Sequence, residues 1–212
     1  MDIKLIAQNA IKIITEQGKI IYFDPFKLGY EPTYDADIIF ITHAHYDHFS
    51  PEDIIKIKNE NTKIVITEDL FQKTIQSGFD EKNILKVLPN NEYTFDGMEL
   101  KTIPAYNVNK DFHKREFNWV SYIVKIDNCV IYVAGDTDIT PEALNVKCDI
   151  AFVPVGGTYT MTANEAAELM LHVLPTHFAV PTHYKTIVGS YEDAKEFKQL
   201  LYEKVEVKIL MY

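Results

Sequence analysis

The 212-residue sequence predicts an α/β protein, with strands and helices mixed in both halves of the chain. Three observations support this fold class. Short apolar runs of strand length recur along the chain, helix starts with capping residues separate them, and turn dipeptides such as Asp96-Gly97 join neighbouring strands. Sheets covered by helices on their outer side satisfy such a pattern. Because no linker, repeat or change of composition marks a boundary, we expect one domain over residues 1–212.

The first third of the chain is predicted to be mainly β-structure. Residues 3–26 contain two stretches of alternating apolar and polar residues, joined near Gln17-Gly18, and residues 36–42 are an apolar run typical of a strand buried on both faces. Ser50, with Pro51 at the first helical position, predicts the start of a helix. The segment between this strand and this helix is therefore expected to be a loop.

The rest of the chain continues the α/β pattern, and its predicted elements follow in chain order. They are a strand at 63–67, a helix capped by Thr67 that ends at Gly78, strands at 84–88 and 93–106, a hairpin at 121–136 turning at Asp127-Asn128, a short helix from Thr140-Pro141, a strand at 149–155, a helix at 162–174 with a Thr162/Glu165 capping box, a strand at 177–183 and a helix at 190–204.

Residues 43–48, His-Ala-His-Tyr-Asp-His, hold three of the seven histidines of the chain and an aspartate. Because side chains two residues apart in an extended strand project to the same side, His43 and His45 are expected to converge on one cation. Asp47 and His48 follow as the chain turns, as a second adjacent metal would need. Imidazole and carboxylate suit Zn²⁺ first, with Mn, Fe or Ni as alternatives. A solvated polar loop is disfavoured, because so dense a pattern after a buried strand is far more specific than a single histidine.

Residues 43–48 match the H-x-H-x-D-H motif of the metallo-β-lactamase superfamily, and later segments resemble further motifs of that family in order. Asp24 in IYFDP resembles the early strand-ending aspartate, and Asp136 in VAGDTD resembles the aspartate that bridges two metals. His183 in AVPTHY resembles the last strand-ending histidine. The resemblance spans nearly the whole chain and implies a four-layer αββα sandwich with a one- or two-metal site at one edge of the sheets.

The resemblance also implies roles for these residues. The expected metal ligands are four imidazoles and two carboxylates: His43, His45, Asp47, His48, Asp136 and His183. Asp136 follows the apolar run CVIYVAG, where an ionised carboxylate needs a partner, and a metal would be that partner. Asp24 is expected to support a ligand or to be an ordinary turn carboxylate. Asp47 is also the expected catalytic group that orients the attacking hydroxide and accepts its proton.

The third motif departs from the family pattern, because Asn107 stands where a strand-ending histidine is usual. A subset of small family members is similar, with A-Y-N followed by F-H and a tryptophan. Three alternatives follow: Asn107 offers a weak amide oxygen, His113 comes in from the loop, or that metal carries an extra water. His113 as ligand or substrate contact competes with an exposed loop histidine, and spacing does not decide between them.

The loop before the predicted helix at 162–174 is a candidate pocket wall. Gly156-Gly157 is typical of a backbone that turns sharply or approaches a ligand closely, and the capped helix start near Thr162 would present amide groups to an anion. Tyr159 is the side chain expected to point into the site, with Tyr184-Lys185 as lesser candidates. The alternative is a strand-to-helix turn without a substrate.

Composition restricts the partners of the protein. The formal charge of −10 would repel a polyanion, so nucleic acid is disfavoured, whereas a small anionic substrate remains compatible because bound cations can invert the local field. No apolar run approaches the ~20 residues of a membrane span. The N-terminal residues lack a signal-peptide core and the two cysteines form no framework, so we expect a cytoplasmic protein without a membrane partner.

The family resemblance implies a metal-dependent hydrolase, in which a metal-bound hydroxide attacks a small ester-like substrate. Lactones and phosphodiesters are the first substrate classes, because the smallest members resemble enzymes that act on them. One alternative is a non-catalytic metal-binding or regulatory module, which the departure at Asn107 favours. Another is a di-iron redox protein of the same superfamily, which is disfavoured because such members show glutamate where this chain has His45.

Overall fold

The computed structural model describes residues 1–29, 31–175 and 177–211. Their twelve strands and four α-helices fall into two units, residues 1–88 with Met211 and residues 89–210. Each unit contains one six-stranded mixed sheet and two helices, which confirms the predicted α/β class. None of the described helices has the length and apolar composition of a membrane-spanning segment.

The first unit contains a sheet whose spatial order follows the sequence. Its strands are β1 (Asp2–Ala7), β2 (Ala10–Ile14), β3 (Ile20–Phe23), β4 (Ile38–Phe40), β5 (Lys63–Thr67) and β6 (Ile84–Val87). The first three pair antiparallel and β3 to β6 pair parallel. The prediction of two alternating stretches before residue 26 is wrong in one respect, because a further turn at Gln8-Asn9 divides the first stretch into β1 and β2.

Helix α1 (Pro51–Ile57) begins where the sequence predicts. Ser50 is its N-cap, and the Ser50 hydroxyl accepts a hydrogen bond from the Asp53 amide. Ile54 and Ile57 project from the helix into the apolar core of the unit, where they join residues of the buried strands β4 and β5. A capped helix and a buried strand therefore fix the two ends of the loop that carries the histidines.

Helix α2 (Phe71–Gln76) is shorter than predicted. Thr67 is followed by a 3-10 turn at Glu68–Leu70, and the Thr67 hydroxyl donates to the Asp69 carboxylate instead of capping the helix backbone. Gly78 closes the segment with a φ of +82°, a conformation that glycine adopts without steric cost. The predicted stop at this glycine is confirmed.

The second unit is built on the strands β7 (Glu92–Phe95), β8 (Met98–Pro104), β9 (Val120–Ile126), β10 (Cys129–Val133), β11 (Ile150–Pro154) and β12 (Phe178–Thr182). They lie in the spatial order β12-β11-β10-β9-β8-β7. The pairs from β7 to β10 are antiparallel, and β10, β11 and β12 are parallel. The predicted turns at Asp96-Gly97 and Asp127-Asn128 are confirmed.

Helices α3 (Ala163–Val173) and α4 (Tyr191–Leu200) pack against each other in the second unit. The predicted Thr162/Glu165 capping box opens α3, and Ser190 with Asp193 forms a second capping box at α4. The short helix predicted from Thr140-Pro141 is only a 3-10 turn at Ala143–Asn145.

Strand direction brings the polar motif residues of each unit to one sheet edge. In the second unit β8, β10, β11 and β12 run in the same direction, so the residues that follow them emerge at one edge. Asn107, Asp136 and His183 follow three of these strands. In the first unit Asp24 and the histidine loop follow the parallel strands β3 and β4. Ligands commonly bind beyond the carboxyl ends of parallel strands, so these edges are the candidate functional regions.

Candidate metal centre

The histidine loop of the first unit begins after β4, which ends at Phe40. The expectation that an extended strand aligns His43 with His45 is therefore wrong, because both residues lie in the loop. The loop nevertheless brings their rings together, with His43 Nε2 lying 3.1 Å from His45 Nδ1. The His48 ring also packs against His43, with ring centroids 3.9 Å apart. Three imidazoles thus occupy one small region.

Asp24 supports this loop. The carboxylate is fully buried and accepts hydrogen bonds from the Thr42 amide at 2.8 Å and from the Thr42 hydroxyl at 2.7 Å. It also accepts from Asn9 Nδ2 and lies against His48 Nδ1, each at 2.7 Å. A proton on His48 Nδ1 that points at Asp24 leaves the Nε2 lone pair as the metal-binding atom, which is the usual way in which a carboxylate orients an imidazole ligand.

Asp47 is the second carboxylate of this cluster, and its side chain is mostly buried. Its Oδ2 atom lies 3.6 Å from His48 Nε2 and accepts a hydrogen bond of 3.0 Å from Gln8 Nε2. The motif predicted Asp47, whereas Gln8 and Asn9 were not predicted. The only signal was that these two polar residues interrupt an apolar alternation at the β1–β2 turn.

The second unit places one carboxylate between two imidazoles. Asp136 Oδ1 lies 2.6 Å from His183 Nε2, and Asp136 Oδ2 lies 3.1 Å from His113 Nε2. All three side chains are buried, with His113 and His183 each 1% exposed. The interpretation of His113 as an exposed loop histidine is therefore wrong.

Asn107 binds His113 directly. Asn107 Oδ1 accepts a hydrogen bond from the His113 amide at 3.0 Å and lies 3.0 Å from His113 Nδ1. The side-chain nitrogen of Asn107, Nδ2, donates a hydrogen bond to the Tyr159 carbonyl, also at 3.0 Å. Of the sequence alternatives, this geometry favours His113 as the imidazole of the third motif, with the Asn107 oxygen fixing the ring from its other side.

The loop around Gly156 differs from its sequence interpretation. A Cβ at position 156 would lie 2.0 Å from the His183 carbonyl oxygen, so the close approach is to the backbone of a motif residue and not to a ligand. The Tyr159 ring is 36% exposed and packs edge-to-face on Phe112, and its expected orientation into the site stays a prediction. At the start of α3, the backbone amides of Thr162 and Glu165 donate hydrogen bonds within their own capping box. These two amides are therefore not available to bind an anion.

The donor set fits a metal ion. Potential ligands in both units are imidazoles and carboxylates. Tetrahedral zinc with bonds of about 2.0–2.1 Å holds neighbouring ligand atoms roughly 3.3–3.4 Å apart. Two separations within the first unit bracket this value, at 3.1 Å for His43 and His45 and 3.6 Å for Asp47 and His48.

Comparison with known proteins agrees with these features. The family model described as a β-lactamase superfamily domain matches residues 2–183. A metal-dependent hydrolase from Thermococcus kodakarensis is 34% identical over 209 residues, which cover 93% of this chain and 91% of the relative.

Two solved structures show the same fold. A Parabacteroides distasonis protein described as a metal-dependent hydrolase is 30% identical, has a TM-score of 0.80, and covers 98% of this chain and 91% of its own. A metallo hydrolase from Ignicoccus hospitalis is 21% identical with a TM-score of 0.77, covering 99% and 94% of the two chains. The chain therefore belongs to the metallo-β-lactamase superfamily and is a metal-dependent hydrolase.

Proposed function

We propose that the clusters of the two units form one binuclear zinc centre that hydrolyses a small ester-like substrate, with lactones and phosphodiesters as the first classes to test. The single observation that carries this proposal is the buried Asp136 carboxylate between His113 and His183. Membership of the superfamily supports joining the clusters, because the motifs that both contain resemble the ligands of one centre in that family.

The proposed ligands divide into two sets, consistent with the distances inside each unit. Three imidazoles would hold the first cation, namely His43, His45 and His113. Asp47, His48 and His183 would hold the second, and Asp136 would be a ligand to both. Asp24 and Asn107 bind no metal in this scheme and fix the rings of His48 and His113.

The protein groups then have distinct tasks in hydrolysis. When bound, the cations would lower the pKa of a water molecule and stabilise the negative charge that develops on the substrate oxygen. The Asp47 carboxylate orients the attacking water and accepts its proton. Gln8 donates a hydrogen bond to Asp47, and the Asp24 carboxylate lies within hydrogen-bond distance of the His48 ring.

The size and lining of a groove in the first unit are consistent with a small, anionic substrate. Its volume is about 430 Å³, and its lining comprises Ala44, Tyr46, Phe49, Pro51, Lys73, Gln76 and Ser77. Tyr46 stands between two proposed ligands in the sequence and is 67% exposed, with its ring edge-on to Phe26. Aromatic and apolar side chains would contact the carbon skeleton of a substrate, while Lys73 would attract a negative group.

The proposal is tested by elemental analysis of protein purified without an affinity tag or added metal, followed by turnover measurements on lactones and phosphodiesters. We expect two equivalents of zinc per chain and hydrolysis of at least one class. His48→Ala and Asp136→Ala should abolish turnover while circular dichroism shows a folded protein. Full activity in either variant would contradict the ligand assignment, and one equivalent or fewer in the parent would contradict the binuclear site.

The substrate class is tested separately with Lys73→Met. We expect this variant to raise KM for a carboxylated or phosphorylated substrate about tenfold and to leave KM for a neutral analogue unchanged. Lys82→Met is the matched control, because Lys82 is an exposed lysine outside the groove. An equal effect of the two substitutions would refute the role of Lys73.

A further inference from the structure

We propose that Gln8 is a positioning residue that holds the carboxylate of Asp47 for its task as proton acceptor. The proposal rests on the function proposed above, since that function gives Asp47 its role. Gln8 lies in the two-residue turn between β1 and β2, and 39 positions of sequence separate it from Asp47.

The contact is buried and specific. Gln8 is 2% exposed, and its Nε2 atom donates to Asp47 Oδ2 at 3.0 Å. The next residue in the same turn, Asn9, is fully buried and donates from Nδ2 to Asp24 Oδ2 at 2.7 Å. One turn therefore supplies two neutral amide donors, one to Asp47 in the histidine loop and one to Asp24, which supports that loop.

The backbone conformation at this turn does not favour glutamine, which indicates that the side chain itself has a role. Gln8 has a φ of +50°, in the left-handed region that glutamine rarely adopts. Ala7 pairs with Ala10 across the hairpin, so Gln8 is the first of two loop residues. In a two-residue hairpin loop in which only the first residue has a positive φ, glycine is the preferred residue at that first position. Turn geometry does not account for a glutamine here, whereas its hydrogen bond to Asp47 does.

An amide suits this task. A glutamine carries no charge, so it donates to a carboxylate without neutralising it as an ion pair would. With Oδ2 anchored, the plane of the Asp47 carboxylate is fixed and cannot rotate about its side-chain bond. Loss of the anchor is expected to slow the proton transfer and to leave substrate binding almost unchanged.

Gln8→Asn tests the proposal. Asparagine tolerates the left-handed backbone better than glutamine but is one methylene shorter, so it keeps the turn and loses the contact. We expect kcat to fall about 10- to 100-fold, KM to stay within about twofold, and the zinc content and melting temperature to match the parent. Gln8→Gly relieves the backbone entirely and should reproduce the loss of kcat. Asp127→Asn, at a turn position with a φ of +51° in the second unit, is the control and should leave kcat unchanged.

A second readout does not depend on turnover. In cobalt-substituted protein, the visible absorption bands should change in Gln8→Asn and Gln8→Gly and stay constant in Asp127→Asn. Unchanged bands and a kcat within twofold of the parent in both Gln8 variants would overturn the proposal. A fall in melting temperature with unchanged bands would also overturn it, because Gln8 would then serve only the fold. A parent that binds cobalt but hydrolyses no substrate would refute the proposed function, while the spectra would still test the contact.

Discussion

Replacing Asn107 with alanine is expected to weaken metal binding without unfolding the protein. The Asn107 side chain is 8% exposed and forms three hydrogen bonds, to the His113 amide, to His113 Nδ1 and to the Tyr159 carbonyl. In the alanine variant the His113 ring loses its partner on Nδ1. The ring is then free to turn away from Asp136, from which its Nε2 atom lies 3.1 Å in the intact protein.

The magnitude follows from these contacts. Removing the group that orients an imidazole ligand costs about 10- to 100-fold in metal affinity, which corresponds to about 1.4–2.8 kcal/mol. Three buried hydrogen bonds at about 0.5–1.5 kcal/mol each lower the free energy of unfolding by roughly 1.5–4.5 kcal/mol. The loss of affinity should therefore appear in a protein that remains folded at room temperature.

Asn107→Asp distinguishes the role of the side-chain oxygen, which contacts His113, from that of the side-chain nitrogen, which donates to Tyr159. Aspartate retains an oxygen for His113 but replaces the donor to Tyr159 with a second oxygen, so stability should fall while metal affinity stays within about tenfold of the parent. Competition with a chromophoric chelator gives the affinity, and urea unfolding of metal-free protein gives the stability. An alanine variant with parental affinity, or an aspartate variant as weak as alanine, would refute the reasoning.

Three further predictions concern other contacts. Gly156→Ala should lower the free energy of unfolding by about 3 kcal/mol or more in urea titrations, because its Cβ would lie 2.0 Å from the His183 carbonyl oxygen. For Asp53, burial acts to raise the pKa, but hydrogen bonds from Lys56 and other donors outweigh it and hold the pKa below its ordinary value. Asp53→Asn should therefore cost about 1–3 kcal/mol at pH 7. This difference should shrink as the pH falls below about 4, where the carboxylate of the unfolded chain takes up a proton, and should be lost once the folded carboxylate is protonated at still lower pH. Burial raises the pKa of the Cys148 thiol to about 12, so iodoacetamide at pH 8 should modify Cys148 only after the protein is unfolded, as mass spectrometry would show.

Local sequence was sufficient for the segment that carries the histidines. A fully apolar strand and a Ser50–Asp53 cap each specify their own conformation, so the order of strand, loop and helix was readable from neighbouring residues. The capping box of α3 and the turns at Asp96-Gly97 and Asp127-Asn128 were readable for the same reason. In each case the decisive interactions join residues that are close in the chain.

Only the tertiary structure decided which side chains meet. His113 rather than Asn107 lies against Asp136, and Gln8 reaches Asp47 from a turn that the sequence had placed inside a strand. These contacts depend on irregular loops and on strand pairing, which carry no period that a sequence can display. Thus the sequence by itself determined the fold class, the family and the residue types of the metal centre. The three-dimensional fold determined their partners, because a hydrogen bond across 39 positions is set by the path of the chain and not by its local pattern.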